Sequence, residues 1–387
     1  MNPSPHIQLL VDKGYDVEII QDKWLLIKRV PYLNKDLEIR YGKIVSDIEM
    51  NGDNVNTNLA NHPIYFAGEQ PYRIDGVKLK WNNDNKVELF PGLTVNFYFS
   101  YKFDRPYTDY YEKMSHYVHL FSKHAMAKDP TVTFNVGSLT IVPNDLPFQY
   151  SDGISLSPEG NILMQKFKSM KIGIIGLGGT GSYILDYVSK TPVDEIHLFD
   201  GDYLHNKNAF RCPGAVSIDD LRNAQFKSDY LKKEYSKIHK NIIPHDGYIK
   251  SDNLNLLDEL SFVFISIDKS EIKRIIVEHL ENKGIAFVDV GMGVQITEGA
   301  ILGAIRTTLS TNEKRDHVHE FHRIKFNENP NNDYSRLPQI AELNALNASF
   351  AVIKWKKVIG FYHDQEKEHH SQYLLPNNKI LNNDFKS

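Results

Sequence analysis

One cysteine, Cys212, stands in the whole 387-residue chain. That excludes an intrachain disulfide and any zinc site built from thiolates, and it fits a reducing compartment. Long apolar runs are missing too, since none reaches the roughly 18 residues that cross a bilayer. The opening Met1-Asn2-Pro3-Ser4-Pro5-His6 has no basic segment leading into an apolar one, so no export signal is read. Positive charge is not in excess: 45 Lys and Arg face 49 Asp and Glu, a formal net charge of −4. This speaks against a nucleic-acid partner held by bulk charge. The expectation is a soluble cytoplasmic chain with neither membrane nor nucleic acid among its partners. No internal repeat or low-complexity segment stands out.

What is present changes character near residue 165. Residues 1–160 are rich in aromatic and β-branched residues broken by turn signals such as Asn51-Gly52-Asp53, Asp75-Gly76 and Pro91-Gly92. Short strands are expected at Val17–Ile20, Trp24–Ile27 and Val95–Phe99. The stretch 107–124 reads as a helix, because Tyr110, Met114, Tyr117, Val118 and Phe121 recur three or four apart and share one face. This half is a smaller α+β domain, and residues 151–165 read as a boundary.

From 168 onward strands alternate with helices, the pattern of an α/β, doubly wound sheet. Lys171–Ile175 is an apolar run suited to a buried parallel strand. It is followed by Gly176-Leu177-Gly178-Gly179-Thr180-Gly181 and a helical stretch from Ser182 to Val188. Strands at 195–199, 262–267 and 286–288 each run into a carboxylate: Asp200, Asp268 and Asp289. Ligands of such sheets sit at the carboxyl edge of the strands. A helix is expected over 339–362, with Ile340, Leu343, Leu346, Phe350 and Ile353 broadly on one side, for core packing or a dimer seam.

Gly176, Gly178, Gly179 and Gly181 form a phosphate-binding turn at a helix start, where backbone amides meet phosphate oxygens. Asp200 stands at about the 20-residue distance of an acid that hydrogen-bonds a ribose hydroxyl. Asp202 shares its side of extended backbone, or caps the following turn. Asn208, Arg211 and Lys227 read as a triphosphate grip, a fork and a point charge among them. Asp268 is a candidate Mg²⁺ ligand, since that ion prefers oxygen donors. A glycine loop with one acid suits NAD equally well, but a hydride-transfer enzyme has no obvious use for Asn208 and Arg211. An enzyme that breaks ATP between the α- and β-phosphates needs such groups. Asp289 reads as a structural or supporting carboxylate.

Residues 171–291 resemble the ThiF/MoeB family, whose adenylating domain is shared with ubiquitin-activating enzymes. Asp200, Asp202, Asn208 and Arg211 reproduce its D-x-D-x5-N-x2-R spacing, and Lys227 and Asp268 match its phosphate-binding lysine and metal-side aspartate. The resemblance implies a Rossmann-like adenylation domain over 165–387, with ATP and Mg²⁺ as cofactors. It implies adenylation of the C-terminal carboxylate of a ubiquitin-like protein, a conjugating-enzyme-like protein as a further partner, and a homodimer. Some relatives donate an arginine from the neighbouring subunit, but the stretch just before Lys171 contains lysines only. The segments His62–Pro71, Asp109–Met114 and Ala341–Ala348 are similar to a bacterial type with an extra N-terminal domain, associated with ubiquitin-like modification operons. By that likeness residues 1–160 recruit a protein partner.

Two departures from the family pattern matter. The paired C-x-x-C motifs of many relatives are absent, and no cysteine follows Cys212, so a conventional downstream thioester is excluded. Cys212 is then a packed small residue or reaches the acyl-adenylate from within the phosphate segment. Alternatively a hydroxyl among Thr307, Thr308, Ser310 and Thr311 carries the acyl group, with His317, His319 or His322 as base. Those histidines read otherwise as solvated residues or metal ligands, and His62 and Glu69 as a packed turn or a partner surface. A small or tRNA-linked acceptor and a non-catalytic nucleotide-binding scaffold stay open as alternatives.

Overall fold

The computed structural model describes residues 4–52, 54–56, 62–80, 82–101, 105–134, 136–142, 146–150, 158–326 and 340–382. The chain divides into one unit of Met1–Leu146 with Tyr150–Asn161 and another of Pro147–Gln149 with Ile162–Ser387. Residues 151–157, inside the stretch read as a boundary, lie outside the described residues. Among the described residues no helix is long and apolar enough to cross a membrane.

The first unit runs α1 (Pro5–Asp12), β1 (Asp16–Ile20), β2 (Trp24–Leu33), β3 (Ile39–Asp47), β4 (Met50–Asn51), β5 (Asn54–Val55), β6 (Ile64–Ala67), β7 (Asn82–Phe90), β8 (Leu93–Phe99), α2 (Tyr110–Lys128) and β9 (Ser138–Val142). Seven strands form one sheet in the order β7-β8-β6-β3-β2-β1-β9, antiparallel except for the β1–β9 pair. Alternation along the strands separates two faces. Val17, Ile19, Leu25, Ile27, Phe66 and Phe99 share a core with residues of α1 and α2, while Trp24, Leu26, Val45 and Val95 form a second cluster. Helix α2 starts where Asp109 accepts a hydrogen bond from the Glu112 amide at 2.8 Å. It buries Tyr110, Met114, Tyr117, Val118 and Phe121, the face that its periodicity marks. His62 pairs with Ser100 Oγ at 2.9 Å, and Glu69 Oε2 accepts from Asn34 at 3.3 Å, which ties both into the fold.

Helix α3 (Pro158–Met164) spans the division between Asn161 and Ile162, and the second unit then runs β10 (Lys171–Ile175), α4 (Gly179–Val188), β11 (Glu195–Asp200), α5 (Asn206–Ala209), α6 (Ile218–Arg222), α7 (Lys227–Tyr235), β12 (Ile242–Asp246), β13 (Phe262–Ile265), α8 (Ser270–Lys283), β14 (Ala286–Thr297), β15 (Ala300–Ser310), α9 (Asp316–Glu320), α10 (Ala341–Val358), β16 (His370–Leu374) and β17 (Lys379–Asn382). Its eight strands lie in the order β12-β11-β10-β13-β14-β15-β16-β17. The first five are parallel and the rest antiparallel. Both faces of the parallel part are covered. Ile172, Ile174, Phe262 and Phe264 join Leu185 of α4 and Trp355 of α10, whereas Ile175, Val263 and Ile265 join Ile276, Val277 and Leu280 of α8. Burial on both sides is why these strands read as unbroken apolar runs.

The chain leaves β10 toward β11 and β12 on one side and later places β13 and β14 on the other. The loops after β10 and β13 therefore meet at the topological switch point, where open α/β sheets bind ligands. One expectation fails here. Strand β14 does not end at Asp289; it continues to Thr297 and turns back through Glu298 and Gly299, with φ of 54° and 77°, into β15. Two consecutive left-handed residues are the signature of a tight hairpin turn.

Candidate active site

The glycine loop is built by close approach. Gly176 has φ +88°, and a Cβ there would lie 2.5 Å from the Ser266 carbonyl oxygen beyond β13. At Gly181 a Cβ would lie 1.9 Å from the Gly176 carbonyl oxygen, so the turn and the helix it feeds touch backbone to backbone. A Cβ on Gly179 would meet the Asn344 side chain at 2.4 Å. Gly178 differs, with nothing within 4 Å of that position. It is the N-cap of α4 and offers no side-chain cap. The first-turn amides of α4 thus remain for a ligand, and the helix dipole favours an anion there.

Asp200 ends β11 and holds this loop from the side. Its Oδ2 accepts from the Leu177 amide at 2.6 Å and its Oδ1 from the Asp202 amide at 2.8 Å. Lys227 Nζ lies 3.3 Å from both oxygens of Asp200 and 2.6 Å from Asp202 Oδ2. The Asp200–Lys227 pair is buried, at 6% and 5% exposure. Tyr248 donates its hydroxyl to Asp202. Burial raises the Asp202 carboxyl, but hydrogen bonds from Lys227 and Tyr248 and the charges of Lys227 and Lys269 outweigh it and leave it below its usual range. The same hydrogen bond, with burial, pushes Tyr248 up to about 12. The Asp202 side chain therefore binds Lys227 and Tyr248 and does not cap the following turn.

A cleft next to this cluster is lined by Gly178, Gly179, Thr180, Arg211, Ser266, Asp268, Val290, Gly291, Met292, Asn344 and Asn347. It brings together four of the residues singled out in the sequence: Gly178, Gly179, Arg211 and Asp268. Asp200, Asp202, Asn208 and Lys227 are not among its lining residues, so Lys227 stands here as the partner of two carboxylates and not as an open phosphate grip. Asn208 is buried in α5, where its Oδ1 accepts from the His205 amide at 2.9 Å. Its Nδ2 and the Nε of Arg211 are buried donors without a partner. Buried donors are rarely left so, and an anionic ligand would satisfy them. Asp268, exposed just after β13, makes no ion pair among the described residues. No group of three metal-ligating side chains occurs among them either. A cation at Asp268 would therefore draw most of its oxygens from a ligand and water, the usual manner of Mg²⁺ beside phosphates.

The candidate acyl carriers lie elsewhere. Thr307, Thr308 and Ser310 are buried on β15, at 1%, 0% and 1% exposure. Thr307 pairs with Ser371 at 2.9 Å, Thr308 with His370 at 3.0 Å, Ser310 with Glu281 at 3.3 Å and Thr311 with His369 at 3.2 Å. Thr307, Thr308 and Ser310 are hydrogen-bonded sheet residues, and none of the four hydroxyl residues lines the cleft. His317 bonds the Leu309 carbonyl at 3.0 Å and His319 pairs with Glu281 at 2.8 Å. His322 sits in a left-handed turn with φ 48°. Asp289 is fully buried between Lys273 at 2.9 Å and Arg306 at 2.5 Å, a structural carboxylate. Cys212 is half-buried with its Sγ 3.9 Å from the Ala209 carbonyl, and burial pushes its thiol up, away from the thiolate a nucleophile needs.

Ser266, Gly291, Asn344 and Asn347 were not read as site residues from the sequence. The available signal was Ala341–Ala348, where two asparagines three apart interrupt a helix that is otherwise apolar on that side.

A model of the ThiF family matches residues 150–385, and a domain of unknown function (DUF6791) matches residues 5–153. No curated protein matches the chain. Among solved structures, E. coli MccB with AMPCPP and MccA is 18% identical, with a TM-score of 0.43 over 58% of this chain and 66% of that one. E. coli MccB with ATP gives the same four values, 18%, 0.43, 58% and 66%. PaaA is 17% identical, with a TM-score of 0.45 over 57% of this chain and 75% of that one. The match to MccB thus spans slightly less than two thirds of its length. With the family model covering the whole second unit from β10 to β17, the chain belongs to the ThiF family.

Proposed function

We propose that the chain is an ATP-dependent adenylyltransferase that activates the C-terminal carboxylate of a ubiquitin-like protein. The observation that carries this reading is the meeting, at the sheet's switch point, of an uncapped helix start, the unpartnered donor of Arg211 and the carboxylate of Asp268. Asp200 and Asp202 accept the ribose hydroxyls. The α4 amides, Arg211 and the Asn208 amide bind phosphate oxygens, and Lys227 adds positive charge from the side of the acids. Asp268 would hold Mg²⁺, which when bound would supply further neutralisation of the phosphates. A carboxylate oxygen then attacks the α-phosphorus in line; the bond from that phosphorus to the bridging oxygen breaks, and pyrophosphate leaves with the electron pair. The products are an acyl-adenylate and pyrophosphate. Positioning and fixed charge do this work.

The motif resemblance supports the finer parts of the proposal: a bacterial, cytoplasmic homodimer, a conjugating-enzyme-like partner, and a first unit that recruits it. The buried hydroxyls and the raised Cys212 thiol favour direct passage of the acyl group from the adenylate to the next protein. The test is exchange of labelled pyrophosphate into ATP with a ubiquitin-like protein bearing a free C-terminal carboxylate. Exchange that disappears when that terminus is amidated supports the reading. Exchange with a small carboxylic acid alone replaces the acceptor, and exchange with none contradicts the reading.

A further inference from the structure

Helix α10 supplies one wall of the cleft through Asn344 and Asn347, which lie beside Gly178, Arg211, Asp268 and Gly291. The two amides are in different states. Asn344 is fully engaged: its Oδ1 accepts from Thr180 Oγ1 at 2.9 Å and its Nδ2 donates to the Ile340 carbonyl at 2.8 Å. Asn347 is half engaged. Its Nδ2 donates to the Gly291 carbonyl at 3.1 Å, while its Oδ1 is buried and has no partner. Flipping the amide would set its oxygen against the Gly291 carbonyl, acceptor to acceptor, so that bond fixes which end is free. The residue is 1% exposed. A buried acceptor left without a donor is destabilising unless a ligand provides one.

The missing donor narrows the ligand. Phosphate oxygens and a carboxylate only accept, so neither satisfies Asn347. The ribose hydroxyls of ATP are donors, but in the adenylation reading Asp200 and Asp202 take them, and those acids do not line this cleft. The cleft instead holds Arg211 and Asp268, the groups assigned to the reacting phosphates, so it is where the acyl group arrives. In a chain that ends in a carboxylate, the donors nearest that group are its own last peptide N–H groups. We propose that Asn347 is a specificity-determining residue that accepts a hydrogen bond from a main-chain N–H in the last two residues of the acyl substrate. It thereby selects a peptide carboxylate over a small carboxylic acid. This inference rests on the adenylation reading.

The experiment compares tetraglycine with two analogues in which the last or the penultimate peptide N–H is replaced by an ester oxygen. Pyrophosphate exchange is measured for the unaltered full chain and for Asn347→Leu, and Mg-ATP binding is followed separately by thermal shift. In the unaltered chain one ester is expected to raise KM about tenfold relative to tetraglycine, the scale of one neutral hydrogen bond. In Asn347→Leu that ratio falls to about one with Mg-ATP binding retained, as expected for loss of a single hydrogen-bond acceptor. Because each ratio is taken within one protein, partial unfolding does not mimic the result. Equal KM values in the unaltered chain, or an undiminished preference in Asn347→Leu, overturn the inference. So does an absence of tetraglycine-dependent exchange while Mg-ATP still binds, an outcome that leaves the adenylation reading standing. Failure of the unaltered chain to bind Mg-ATP removes that reading and this inference together.

Discussion

The Leu177 amide donates to Asp200 Oδ2 at 2.6 Å, so the acid at the end of β11 clasps the glycine loop at the end of β10. The same carboxylate is the buried partner of Lys227. One side chain thus fixes a loop, balances a cation and offers the ribose site.

Its removal is expected to reach beyond the ligand. Asp200→Asn leaves Lys227 with Asp202 alone, and breaking a buried pair typically destabilises by about 3–5 kcal/mol. The remaining Asp202 contact places this variant at the lower end of that range. Adding Lys227→Met to Asp200→Asn removes the buried charge that Asp202 alone compensates and restores part of the loss. Urea denaturation of the two variants measures it; a double variant no more stable than Asp200→Asn alone counts against the coupling.

The glycines separate architecture from binding. Gly181→Ala drives a methyl into the Gly176 carbonyl, which lies 1.9 Å from the Cβ position, and is expected to destabilise the fold by at least about 3 kcal/mol. Gly178→Ala meets open space and is expected to stay within about 0.5 kcal/mol of the unaltered chain. It lines the cleft, however, so its stabilisation by Mg-ATP should shrink. Unchanged ligand stabilisation in Gly178→Ala would show that no phosphate approaches there.

How much of this was legible in the sequence depended on whether neighbours along the chain or across it decide an element. Strands β10 and β13 announce themselves because burial on both faces leaves an unbroken apolar run. The buried face of α2 is equally local, although the helix starts at Tyr110, after the Asp109 cap, and not at 107. The far half of β14 is not, since residues 293–297 are partly exposed and carry no core pattern, and the turn that ends the strand is Glu298-Gly299, well past Asp289. Likewise His370–Leu374 is a short polar run that becomes a strand only by pairing with β15 and β17. In the site, the loop and its acids were readable from spacing. The α10 wall was not, because the contact of Thr180 with Asn344 joins residues 164 positions apart.

Two buried histidines give the fold an acid limit. His239 Nε2 donates to the Val193 carbonyl at 3.0 Å while its Nδ1 accepts from the Asn241 amide at 3.2 Å, so the neutral ring is satisfied at both nitrogens. Burial pushes His239 down to about 4 from its ordinary 6.5. His370 is pushed down to about 4 as well, by burial and then by Arg323, Arg306, Lys354 and His317. A lowered folded value means that the unfolded chain takes up the proton first. This contribution to stability is therefore complete above pH 6.5 and is lost as pH falls toward 4. Each histidine should contribute a slope of about 1.4 kcal/mol per pH unit across that window. Urea midpoints measured between pH 7 and pH 4 should fall steeply for the unaltered chain and less steeply for His239→Gln.

Cys212 is expected to be dispensable for the chemistry. With its thiol raised by burial, Cys212→Ser should retain pyrophosphate exchange within about twofold, a change of roughly 0.4 kcal/mol in barrier. Alkylation by iodoacetamide at pH 7 should be slow. A Cys212→Ser variant that exchanges pyrophosphate normally yet cannot pass the acyl group onward would instead make the thiol the carrier.

Thermal stability with Mg-ATP, with ATP plus EDTA and with NAD tests the central claim most directly, measured on the unaltered chain, Arg211→Ala and Asp268→Ala. A ligand at about a hundred times its dissociation constant stabilises a fold by roughly 2.7 kcal/mol. The account predicts a stabilisation of that order by ATP that depends on magnesium and is weakened by both substitutions. Stabilisation by NAD and none by ATP would contradict it.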